Sequence, residues 1–113
     1  MNWLHVLAYF FGGFFLSNAI PHYVSGVMGR SFQSPFAKPP GKGLSSSVVN
    51  VLWGTVNLVI AYLLLCRVGA FSLQSTVDVI ALGAGFLIMG LFNARQFGCF
   101  HGGNSPGQID GAK

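Results

Sequence analysis

The amino-acid sequence predicts an all-α, polytopic membrane protein with three transmembrane helices, and three observations carry that prediction. First, residues 2–29, 43–66 and 79–94 hold no formally charged side chain, and each stretch contains a dense run of Leu, Ile, Val and Phe. These stretches are 28, 24 and 16 residues long. At a rise of about 1.5 Å per residue, about 20 apolar residues cross the roughly 30 Å hydrocarbon core of a bilayer. Second, hydrophobic residues make up 52% of the chain and charged residues only 7%, with a mean hydropathy of +0.62. A soluble domain carries about 25% charged residues. Third, a chain of 113 residues forms a small core and leaves much apolar surface outside, which water penalises and lipid does not.

Taken in order, the first helix is expected over about residues 3–20. Pro21 has no N–H and leaves the Ser17 carbonyl without its helical partner, so a kink or helix end is expected near Ile20. Asn18 and His22 bracket that break and are placed to satisfy freed backbone groups. Ser17-Asn18-Ala19 puts small residues where a signal peptidase reads, but Met1-Asn2-Trp3-Leu4-His5 lacks a basic n-region, so a retained helix is expected. The loop 29–47 is dense in turn formers, and Pro39-Pro40-Gly41-Lys42-Gly43 favours an extended path ending in a turn. Ser45, Ser46 and Ser47 are N-cap candidates for a second helix over about residues 46–65. The third helix is expected over about residues 75–92, with Asp78 in its first turn complementing the helix dipole. An irregular tail over 98–113 completes a single membrane domain without internal repeats.

Orientation follows from the cations. With three crossings, the first loop and the tail share a side carrying Arg30, Lys38, Lys42, Arg95 and Lys113, while the opposite side carries Arg67. The positive-inside rule then puts the N-terminus outside and the C-terminus in the cytoplasm. Cys66 and Cys99 fall at span ends on opposite faces, too far apart for a disulfide.

Small and amide side chains recur on single helix faces. His5, Ala8, Gly12, Phe15, Ala19 and His22 share one face of the first helix; Asn50, Gly54, Asn57 and Ala61 share one face of the second. The third offers Gly83, Gly90 and Ala94, with Gly85 nearby. Small residues let helices approach closely in lipid, and amides hydrogen-bond across the contact. These stripes are expected to be packing faces, the alternative being a polar cavity lined by Asn50, Asn57 and Asn18.

No charged residue lies at the centre of a span, which argues against a proton pump or voltage sensor. His5 and His22 are about 25 Å apart along a helix and cannot clamp one haem. His22 and His101 share the cytoplasmic side and are the remaining cofactor candidates, although His101 is expected in a glycine-rich tail rather than on a helix. No cofactor or metal is expected: Cys-x-x-Cys and His-Glu-x-x-His are both missing, and Gly41-Lys42-Gly43 lacks the Ser/Thr of a P-loop. Two carboxylates in the whole chain leave paired acid–base catalysis without residues, so no enzyme activity is expected. The net charge of +4 flanks membrane spans and does not describe a nucleic-acid surface.

The most distinctive wording is Asn18-Ala19-Ile20-Pro21-His22 followed by Ser34-Pro35-Phe36-Ala37-Lys38-Pro39-Pro40-Gly41-Lys42-Gly43. It resembles that of small, uncharacterised bacterial inner-membrane proteins over about half the chain. The resemblance implies a location and no activity. Arg30, Lys38 and Lys42 interleave with Phe32 and Phe36, which suits an anionic leaflet or a partner surface. The function expected first is that of a non-enzymatic accessory or oligomer-forming subunit, because three helices have limited room to bury polar groups. The alternatives are a small oligomeric transporter or channel using Asn50 and Asn57, and lipid, quinone or haem binding around His22, Arg30 and Lys38.

Overall fold

The computed structural model describes residues 2–108. Helix α1 spans Trp3–Val27 and is capped by Asn2, whose side chain accepts from the His5 N–H at 3.2 Å. A two-residue antiparallel pairing of β1, Phe32–Gln33, with β2, Leu44–Ser45, closes the first loop. Helix α2, Ser47–Tyr62, is capped by Ser46 and widens into a π-helical turn over Leu63–Val68. Helix α3, Thr76–His101, is capped by Ser75 and stopped by Gly102 at φ 86°, a left-handed conformation suited to glycine. A short 3-10 turn at Pro106–Gln108 follows. All three helices are long and apolar enough to cross a membrane.

Helix α1 is the middle layer. Helices α2 and α3 each pack along its length and hardly touch one another. Both seams are cut by glycine. Gly54 of α2 lies against the Tyr23 backbone, where a β-carbon would stand 2.8 Å from the Tyr23 nitrogen, and Gly26 of α1 lies against Ser47 and Val51. On the other seam Gly13 faces the Leu82 carbonyl and Gly85 faces the Phe10 carbonyl, backbone against backbone. Such approach is what dispersion-driven packing in lipid requires. At the far end, the Tyr9 hydroxyl accepts from the Ala70 N–H at 2.9 Å and ties the α2–α3 connection to α1.

Three boundaries differ from the sequence expectation. Helix α1 runs through Pro21 to Val27 rather than stopping near Ile20. Proline forfeits one hydrogen bond, but the turn beyond it is held by the Gly26 and Tyr23 contacts to α2. Helix α3 continues from Phe92 to His101, held there by the Asn93–Asn18 hydrogen bond and by Phe97 packed against His22 and Phe32. The expected irregular tail therefore begins only at Gly102, and its residues past 108 lie outside the described residues, as does Lys113 of the orientation count. The expected loop 29–47 includes the β1–β2 pairing, too short to alter the all-α class.

Candidate functional site

The polar residues gather at one end of the molecule, where α1 finishes, α2 begins and α3 finishes. Asn50 is the keystone, with 0% of its surface exposed. Its Nδ2 is shared among the carbonyls of Phe32 (3.2 Å), Ser45 (3.2 Å) and Ser46 (3.0 Å), so one amide holds both arms of the loop to α2. That fixes which way the amide faces: Oδ1 is the acceptor turned to His22, 2.8 Å from its Nδ1. The His22 Nδ1 therefore carries the hydrogen, and Nε2 of the neutral ring is left as an acceptor. Among the described residues Nε2 has no hydrogen-bond partner.

One turn deeper, three amides join all three helices. Asn18 Nδ2 donates to Asn57 Oδ1 at 2.9 Å, and Asn93 Nδ2 donates to Asn18 Oδ1 at 3.1 Å. Asn57, also 0% exposed, donates its own Nδ2 to the Trp53 carbonyl at 2.8 Å. In lipid such bonds each contribute about 0.6 kcal/mol on average.

Between the amide chain and the loop lies a cavity of about 400 Å³. It lies where α2 and α3, each packed on α1, hardly touch one another. Asn18 and His22 of α1, Trp53 of α2, and Asn93, Gln96 and Phe97 of α3 line it, with Gln33, Ser34 and Pro40 of the loop forming a roof. The roof is internally fastened: Ser34 O accepts from Gly41 N at 2.8 Å, and the Ser34 and Ser45 hydroxyls are hydrogen-bonded to each other. The indole Nε1 of Trp53 is buried and has no partner among the described residues. A buried donor without an acceptor costs about 1–3 kcal/mol, and native structures contain few.

His22 is 2% exposed and sits in an aromatic cluster, edge-on to Phe32 (5.6 Å between centroids), Phe97 (5.9 Å) and Trp53 (6.3 Å). His101 is the last residue of α3, not part of an irregular tail. Its Nε2 donates to Gln33 Oε1 at 2.9 Å and its ring stacks on Phe32 at 5.1 Å. Phe32 thus stands between the two histidines, and they do not converge on a common ligand.

Of the other residues singled out in the sequence, Asn50, Gly54 and Asn57 meet His22, Tyr23 and Asn18 respectively. Gly83 is corrected: it is exposed, with nothing near its absent β-carbon, and the close-packed glycine is Gly85. Gly90 lies beside the Ser17 hydroxyl. Arg30, Lys38 and Lys42 are exposed and outside the cavity lining, with Arg30 at a separate surface depression beside Ser25 and His101. Asn93, Gln33, Gln96 and Trp53 were not anticipated. Asn93 was open to detection, since Ala81, Gly85, Met89 and Asn93 form the buried stripe of α3 at a spacing of four.

The molecule is a small integral membrane protein of three helices with a polar, aromatic-walled cavity at one end. Compared with protein-family models, curated proteins and solved structures, the chain finds no match.

Proposed function

We propose that this chain is a non-enzymatic membrane protein that binds a small amphiphile from the lipid phase, holding its polar head in the cavity beneath the first loop. The observation that carries this reading is a cavity of about 400 Å³ whose lining includes Trp53, a side chain with a buried and unpartnered indole N–H. Ligand sites are commonly concave, about 300–1,000 Å³, and mostly apolar with a few placed polar groups. Helices α2 and α3 hardly touch one another, which leaves room between them for a chain that stays in the bilayer. The oligomer-subunit reading rests on small-residue and amide stripes in a bundle with limited room for polar groups, and the transporter reading on Asn50 and Asn57 facing a shared cavity. Asn50 and Asn57 are wholly buried within one chain, which withdraws that support.

The test is what stays bound. Protein extracted into lipid nanodiscs and examined by native mass spectrometry is expected to carry one amphiphile per chain above the bulk lipid. The Trp53→Phe, Asn93→Leu double variant is expected to lose it. Wild-type protein carrying bulk lipid alone would count against binding, and a discrete oligomer or a larger complex would restore the subunit reading.

We further propose an inner-membrane location with the N-terminus outside, on the cation bias of the first loop and α3. Cys66 and Cys99 are free and exposed at opposite ends of the bundle. A membrane-impermeant maleimide added to intact spheroplasts is expected to label Cys66 and to reach Cys99 only after permeabilisation. The reverse pattern inverts the topology.

A further inference from the structure

Resting on that binding function, we propose that the head held in the cavity is a quinone or quinol ring. The first argument is charge. The side chains lining the cavity are amides, one imidazole, a hydroxyl and apolar groups, and Arg30, Lys38 and Lys42 stand outside it. A phosphate or carboxylate would enter uncompensated, which low-dielectric surroundings penalise heavily. The head is therefore uncharged.

The second argument is shape. Trp53, Phe92 and Phe97 contribute flat walls, and Phe36 closes edge-on over Trp53 at 5.1 Å between centroids. Aromatic walls favour an aromatic or quinonoid ring through offset and edge-to-face contact. An ester-linked glycerol would leave those faces without a matching surface.

The third argument is the pattern of free polar groups. Trp53 Nε1–H is a donor in want of an acceptor. His22 Nε2 is an acceptor in want of a donor, because Asn50 fixes the hydrogen on Nδ1. Both residues line the cavity, Trp53 from α2 and His22 from α1. A ring bearing two oxygens meets both: a carbonyl accepts from Trp53 and, in the quinol, a hydroxyl donates to His22. The apolar chain of such a molecule leaves between α2 and α3 into the lipid. Binding alone is proposed, with no electron transfer.

The test uses the full chain, ¹⁵N-labelled, in phosphatidylcholine nanodiscs. It has two indole N–H signals, Trp53 in the cavity and Trp3, 69% exposed at the far end, as an internal control. A benzoquinone with a ten-carbon chain is expected to move the Trp53 signal saturably and leave Trp3 in place. By titration calorimetry, Trp53→Phe is expected to bind the same probe about five- to tenfold more weakly, the loss of one hydrogen bond. Dioleoylglycerol and phosphatidylglycerol serve as the other probes. If dioleoylglycerol or phosphatidylglycerol moves Trp53 and the benzoquinone does not, the quinone assignment is overturned while amphiphile binding stands. If no probe moves Trp53, both are overturned.

Discussion

Gly85→Ala is expected to force α3 away from α1 and to destabilise the bundle by about 3 kcal/mol. Gly83→Ala, two residues earlier, is expected to leave stability unchanged or raise it by up to about 1 kcal/mol through helix propensity. The contrast comes from backbone geometry. A β-carbon at Gly85 would overlap the Phe10 carbonyl and crowd the Phe14 nitrogen, neither of which belongs to a side chain able to swing aside. A β-carbon at Gly83 meets nothing within 4 Å. Unfolding in mixed micelles titrated with denaturing detergent measures both variants. Equal losses would show that α1 and α3 are not seamed at Gly85.

The second large effect is expected at Asn50. Asn50→Leu takes the side-chain donor from the carbonyls of Phe32 and Ser45 and leaves His22 Nδ1 without its acceptor, while the Ser46 carbonyl keeps its bond from the backbone N–H of residue 50. Buried unsatisfied groups cost about 1–3 kcal/mol each in water-soluble proteins and less in lipid. A total of about 2–3 kcal/mol is therefore expected. The loss is local in origin, because the same amide fastens the loop that roofs the cavity. Limited trypsin digestion should cut after Lys42 much faster in the variant, and ligand retention should fall with it. Cleavage at the wild-type rate would mean that the β1–β2 pairing and the Ser34–Ser45 hydroxyl contact hold the roof unaided.

The three helices were legible in the sequence because the bilayer imposes length and apolarity on a span, and both are read directly from composition. The buried stripe of α2 was legible for a related reason: Asn50, Gly54, Asn57 and Ala61 stand out against Leu and Val. On α3 the glycines misdirected the reading. Gly83 lies on a different face from Ala81, Gly85, Met89 and Asn93, Gly90 borders the seam beside Ser17, and a stripe containing methionine does not stand out in an apolar helix. Pro21 misdirected the end of α1, since the contacts that carry the helix past it come from α2 and lie more than twenty residues away in sequence. His101 was assigned to the tail because glycine at 102 and 103 marks where a helix stops, and the marker was read too early. The cavity itself had no local signature. It is lined by residues of three helices and of a loop, which meet only in three dimensions.

That α1 carries both seams has a consequence for biogenesis. Of the three helices α1 is made before the other two and is the template on which they dock, since neither later helix offers the other much surface. A nascent chain with only α1 and α2 inserted already owns the Gly26–Ser47 and Asn18–Asn57 contacts, so it can wait in the bilayer as a paired hairpin. Arrival of α3 then completes the Asn57–Asn18–Asn93 relay and, in the same step, adds the Asn93, Gln96 and Phe97 wall of the cavity.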